Sequence, residues 1–268
     1  MLERAYVWLA GENLLLFVGL AFALLSAAYE AGFRLGGRQV RGSNRERARE
    51  GVGTITAAML GLLSFTLGLT IGYAQDRAET RRGLVVHEAN AISTAWQRAQ
   101  LVSSPEGPAI AALIAELAKV ELTFTTAGST EPEARLLTQH ETLENQIWGL
   151  ARTVAKRDAT PITTALTNAL NEMSDAALAQ RFAFDSRVPP TLSWMLLLGA
   201  LLAMGALGYQ FGLVGARHPV LVSLLLAMWT GGMALIMDLN QPRLGSIRVD
   251  PAPLIWTIQG FALPSPQP

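Results

Sequence analysis

Between Gly51 and Gln75 the chain reads GVGTITAAMLGLLSFTLGLTIGYAQ, 25 residues without a single charge. At 1.5 Å of rise per residue, a helix of that length matches the hydrocarbon thickness of a bilayer, so the stretch predicts a membrane span. No proline, glycine pair or loop signal interrupts DRAETRRGLVVHEANAISTAWQRAQLV, which follows it. The same helix is therefore expected to leave the membrane and run on in water to about Val102. Inside the span, Gly53, Ala57 and Gly61 recur every four residues, as do Ser64, Gly68 and Gly72. Small residues at this spacing let helix backbones approach closely in lipid, which predicts a helix-packing face.

Composition agrees with a membrane chain. Of 268 residues half are hydrophobic, the formal net charge is zero and the mean hydropathy is +0.30. That is too apolar for an ordinary soluble domain. With no cysteine there is no disulfide framework, thiolate metal site or cysteine nucleophile. Balanced charge argues against a nucleic-acid partner, which would demand a basic surface. No His-Glu-x-x-His, phosphate-binding loop, GxSxG or dinucleotide fingerprint occurs, so neither an enzyme nor a cofactor is expected.

A first span is predicted from Tyr6 or Trp8 to Tyr29, with aromatic residues at both ends. Ser26-Ala27-Ala28 resembles a signal-peptide cleavage site, but the arginines that follow resist translocation. Glu12 lies one turn inside the aromatic end and has two readings, reaching back to the interface or serving a pore or proton relay. The connecting loop carries Arg34, Arg38, Arg41, Arg45, Arg47 and Arg49 against Glu46 and Glu50. Short basic loops stay in the cytoplasm. That rule places the N-terminus and the segment after the second span on the far side of the membrane.

From about Asp76 to Arg187 the periodicity predicts a four-helix bundle. Its members are the extension of the second span, a helix from about Pro108 to Thr126, one after Gly128-Ser129-Thr130, and one opened by the cap pair Thr160-Pro161. Pro189-Pro190 breaks the chain before a third span, about Leu192 to Leu213, and a fourth follows from about Val220 to Met237. The expected fold class is an all-α membrane protein with four transmembrane helices and a four-helix extramembrane bundle inserted between spans two and three. The divisions are 1–75, 76–188, 189–237 and 238–268, the last an interfacial or bundle-bound tail.

Asp76, Arg77, Glu79, Arg81, Arg82, His87, Glu88 and Asn90 form the densest polar cluster. Glu88 falls on the apolar stripe of its helix with Leu84, Ala91, Ile92, Ala95 and Val102, so it is expected to be buried against a partner. An arginine clasp that fixes packing and an ion-binding or gating role are the two readings. Asp238, Asn240, Arg243 and Arg248 share a membrane face with this cluster, and Asp238 is placed to pair with Arg77 or Arg81. His140 sits on an apolar stripe with Glu144 one turn on, a pattern more typical of a satisfied core histidine than of a metal ligand. Thr66, Thr70 and Tyr73 make a hydroxyl stripe on the second span, with Leu62, Phe65 and Leu69 elsewhere on it. The stripe could line a water-filled path gated by a ring of Phe65 or Leu69, or the threonines could bond back to their own helix.

GLLSFTLGLTIGYAQDRAETRRGLVVHEANAISTA, ALNEMSDAALAQR, RVPPTLSWMLLLGALL and MDLNQPRLGSIRV together resemble the bacterial bestrophin-like membrane-protein family over nearly the whole chain. The resemblance falls on Arg81, Arg82, Glu88, Ala89, Asn90, Asn171, Pro189, Pro190, Asp238, Pro242 and Arg248. It implies kinship with bestrophins, homo-oligomeric anion channels whose second helix runs from pore neck to soluble domain. Arg77, Glu79 and Arg81 match an arginine-acid-arginine run after that helix. The acidic calcium clasp of animal bestrophins has no counterpart here. The resemblance also implies a cytoplasmic soluble part, against which the arginine-loop argument is preferred. The expected function is ion conduction, of anions, by a homo-oligomer of four or five copies in the lipid bilayer. The alternative is a non-conducting structural or sensory membrane protein whose bundle binds a partner; a third class is a metal or proton transporter using Glu12, Glu88 or His140.

Overall fold

The computed structural model describes residues 14–38, 45–127, 131–243 and 245–262, which form eight α-helices with no strand among them. In chain order these are α1 (Leu14–Arg38), α2 (Arg45–Gln100), α3 (Glu106–Thr126), α4 (Glu131–Arg157), α5 (Pro161–Asp185), α6 (Pro190–Val214), α7 (Pro219–Leu239) and α8 (Ala252–Ala262). Among the described residues, four helices are long and apolar enough to cross a membrane: α1, α2, α6 and α7.

Two boundaries correct the sequence reading. α1 continues past Tyr29 through Arg34 and Arg38, and α2 begins at Arg45 rather than Gly51. Arginine is a good helix former, so the helices do not stop where the apolar run stops. The basic connection is correspondingly shorter than six arginines suggested. Tyr6, Trp8, Glu12 and Arg41 lie outside the described residues. α2 is one helix of 56 residues, roughly 84 Å long at the standard rise.

The chain divides into two compact units, and α2 contributes to both, its boundary falling between Asp76 and Arg77. The first unit comprises the residues up to Asp76 with Arg187–Ile247. Its tightest contact is between α1 and α6, where four glycines remove every side chain that would hold the backbones apart. A Cβ on Gly32 would stand 2.0 Å from the Gly205 carbonyl oxygen, and one on Gly208 would stand 2.0 Å from that of Tyr29. Gly36 and Gly212 meet the Tyr209 and Phe33 carbonyls in the same way, each at 2.2 Å. These Gly-x-x-x-Gly pairs are a lipid-phase packing device that the sequence reading sought on α2 alone. At one end of α1, Glu30 accepts from Arg34 Nε at 2.9 Å and from Arg217 at 3.2 Å, and the Arg217 guanidinium lies 4.3 Å from the centre of the Phe33 ring. Arg217 leaves α6 by way of Gly215, whose φ of 73° gives the helix a left-handed terminus.

The second unit comprises Arg77–Ser186 with the C-terminal segment from Arg248. Its core takes Val85, Ile92 and Ala95 from α2, Ile110, Ile114 and Leu117 from α3, Ile147 and Val154 from α4, and Leu166, Leu170 and Met173 from α5. Apart from Ala95, each of these side chains contributes about 1.5–3 kcal/mol by leaving water. Thr160 caps α5 by accepting from the Thr163 amide at 3.2 Å, with Pro161 at the first helical position, as its sequence predicts. The proline-broken tail forms a further helix here: α8 buries Leu254 completely, stacks Phe261 on Trp96 at 4.7 Å and donates from Thr257 to the Ala89 carbonyl.

Candidate functional site

Within the first unit the apolar part of α2 has three faces set by helical periodicity. Thr56, Leu63, Thr70 and Ala74 are buried. Leu63 and Leu67 on this side seat against α6 and α7, at the places where Gly199 and Gly232 carry no Cβ. About a third of a turn round, Leu62, Phe65, Leu69 and Tyr73 are exposed, Leu62 at 69% and Phe65 at 65%. About a third of a turn further lie Ala57, Gly61, Ser64, Gly68 and Gly72, also exposed, and a Cβ on Gly61, Gly68 or Gly72 would meet nothing within 4 Å. Gly53 differs, because its position faces the Gln210 side chain at 3.0 Å. The predicted hydroxyl stripe splits. Thr70 is 5% exposed and donates to the Thr66 carbonyl at 2.8 Å, while half-buried Thr66 donates to the Leu62 carbonyl at 2.8 Å. Both hydroxyls thus satisfy their own helix, and the open face carries large apolar side chains.

The predicted polar cluster is distributed over several tasks. Arg81 is buried and donates to the Ala183 carbonyl at 3.2 Å and the Ser186 carbonyl at 3.4 Å, so a cation sits at the end of α5, where the helix dipole favours it. Arg82 is half-exposed beside Glu79 at 3.5 Å, Arg77 is half-buried, and Asn90 and Arg248 are exposed. Asp238, in the first unit, accepts from the amides of Ser246 at 2.6 Å and Ile247 at 3.2 Å, holding the turn that follows α7. Asn240 accepts from the buried Val188 amide at 2.7 Å, which fixes the chain just ahead of Pro189-Pro190.

Glu88 has gone elsewhere, into the core of the second unit. It is 0% exposed, and its carboxyl lies within hydrogen-bonding reach of a second buried acid, Glu121 of α3, itself 1% exposed. Glu121 Oε1 takes two donors: Arg181 Nη2 of α5 at 2.8 Å and His140 Nδ1 of α4. The other His140 nitrogen stands 3.4 Å from Glu144 Oε2, and Glu144 in turn accepts from the Ser174 hydroxyl. Arg181 also lies over the Phe124 ring at 5.7 Å. Burial, and then the Glu121 charge, push the Glu88 carboxyl well above the usual carboxylate range, with Arg181 opposing. Burial also acts to raise Glu121, but the His140 hydrogen bond and the Arg181 charge overcome it and hold that carboxyl below its ordinary value. The arginine expected beside Glu88 exists as Arg181, yet it donates to Glu121. The sequence reading missed Glu121, although it extends the Ile110, Ile114, Leu117 row of α3 by one turn. Among the described residues no group of three or more His, Asp or Glu is disposed to hold a metal ion.

A crystal structure of a membrane-protein variant superposes with a TM-score of 0.68 at 12% identity, covering 93% of this chain and 97% of that one. Two crystal structures of a bacterial bestrophin homologue from Klebsiella pneumoniae, both point variants, match at TM-scores of 0.66 and 0.65, with 14% and 13% identity. These cover 93% of this chain and 95% and 98% of theirs. Identities this low establish likeness of fold alone. No curated protein matches the chain. The family comes from the sequence: the model of the bestrophin-like domain matches residues 21–254, from within α1 to α8, and the chain belongs to the bestrophin-like family of membrane proteins.

Proposed function

We propose that the protein is a homo-oligomeric ion channel, with α2 of each of four or five copies surrounding the conduction path and the second unit forming an extramembrane bundle between spans two and three. One observation carries this reading: α2 seats one face on α6 and α7 and leaves both its glycine line and its Leu62, Phe65, Leu69, Tyr73 line open. In lipid, large apolar side chains on an open face need no explanation, but three aligned glycines with empty space before them do. A neighbouring copy on the Gly61, Gly68, Gly72 line would turn the adjoining line toward the symmetry axis, where Phe65 or Leu69 would constrict the path by dewetting. Family membership supports conduction, and the preference for anions rests on it alone. Arg34 and Arg217 meet on Glu30, Arg38 ends α1 one turn beyond Arg34, and we assign that end of the first unit to the cytoplasmic side of a bacterial inner membrane.

Purified protein in liposomes should carry an ion flux that rises several-fold in Phe65→Ala or Leu69→Ala and is little changed in Thr70→Val, whose hydroxyl faces inward. A reconstituted oligomer that passes no ion at high protein load would overturn conduction and favour a structural or sensory role.

A further inference from the structure

We propose that Glu88 and Glu121 form a proton-binding site in the core of the second unit, one proton held between the two carboxyl groups joining α2 to α3. This does not depend on conduction. Every element around the pair can be accounted for. α2 surrounds Glu88 with buried Val85, Ala89 and Ile92; on the same helix Arg82 and His87 are exposed, and Arg81, two turns back on the same face, is buried and donates to the Ala183 and Ser186 carbonyls. α3 brings Glu121, α4 brings His140 and Glu144, α5 brings Arg181, and α8 carries no titratable side chain. Arg181 and His140 each direct a nitrogen to the same atom, Glu121 Oε1, and neither bonds Glu88, while Arg181 Nε stays buried without a partner.

That leaves three buried carboxyl oxygens, both of Glu88 and Oε2 of Glu121, with no protein donor. Two ionised carboxylates cannot share such a position, since each acceptor would face another acceptor in a medium too apolar to screen them. A proton on Glu88 resolves the conflict. The neutral acid gains an O–H, the Glu121 carboxylate keeps its donors from Arg181 and His140, and a charge-assisted O–H···O⁻ bond spans the helices. The shift of Glu88 described above runs in the direction this arrangement requires. Such a pair titrates as a unit, so release of the proton at alkaline pH leaves two adjoining charges and loosens α2 from α3.

Infrared spectroscopy of the full-length protein in detergent, from about pH 5 to about pH 9, tests the site directly. Free glutamates are ionised over nearly all of that range. The expected result is a protonated-carboxyl carbonyl stretch that persists at neutral pH, fades in alkali, and is abolished by Glu88→Gln. Should Glu88→Gln fail to fold, the wild-type protein carrying side-chain 13C glutamate reports the same proton as a neutral carboxyl resonance. Absence of any protonated carboxyl at neutral pH would overturn the proposal, as would a band that survives both Glu88→Gln and Glu121→Gln. A metal cation in place of the proton leaves both groups ionised, gives no such band and counts against it equally.

Discussion

At the scale of single residues the second unit is governed by one unequal partnership. Glu121 receives Arg181 and His140, and Glu88 receives neither. Replacing Arg181 with Met keeps its contact with Phe124 but strips Glu121 of its guanidinium donor, and unfolding should become easier by about 3 kcal/mol. Chemical denaturation of the purified variant at neutral pH measures this. The two acids also impose opposite pH limbs. Glu121, depressed in the folded state, contributes stability that is present above its unfolded value and lost as the pH falls through its folded one. Glu88, raised in the folded state, contributes stability that is complete below the unfolded value and drains as pH climbs toward its folded one. The alkaline limb should approach a slope of about 1.4 kcal/mol per pH unit and flatten in Glu88→Gln, whose amide mimics the protonated acid. Glu106 adds to the acid limb: the Arg157 fork, at 2.8 and 3.0 Å, and the Ser104 hydroxyl lower its carboxyl to about 2, so this contribution fades between the ordinary glutamate range and that value.

At the scale of helices, two kinds of glycine line should behave differently on substitution. Gly208→Ala drives a methyl into the Tyr29 carbonyl, so α1 and α6 must separate, and the protomer should lose about 1–3 kcal/mol or more, read as a lower thermal midpoint in detergent. Gly68→Ala meets open space, so the same midpoint should hold while the proposed assembly, followed by cross-linking or light scattering, weakens. Equal effects on both readouts would show that the two lines share one role. The contrast also marks what sequence could and could not disclose. The unbroken α2 was legible because nothing between Gly51 and Val102 stops a helix, and the burial of Glu88 was legible from its place in the stripe. Glu121 was just as legible from its spacing with Leu117, but a lone acid at the end of an apolar row attracts no notice until a partner is known. The Gly32/Gly36 and Gly208/Gly212 match was out of reach for another reason. Spacing shows that a helix can be approached closely, never by which helix, and Gly68 and Gly72 of α2 have the same spacing with nothing before them in the chain.

At the scale of the whole molecule, absence of cysteine turns topology into a clean experiment. Single-cysteine variants at Gly37, at the end of α1, and at Ser103, after α2, can be labelled in intact cells with a reagent that does not cross membranes. The assignment of the basic end to the cytoplasm predicts labelling at 103 and protection at 37. The reverse pattern inverts the protein in the membrane while leaving every packing statement intact.

The clasp between α1 and α6 also dictates an order of events during synthesis. Its two halves are separated in the chain by α2 to α5, so α1 must wait in the lipid, its glycine notch unfilled, until those four helices have been made. Through that interval only α2 and the bilayer are at hand to keep the notch from a wrong partner. Truncation after α5 should therefore yield a nascent chain whose first span is captured by insertion factors or degraded, and restoring α6, even as a separately expressed piece, should rescue it.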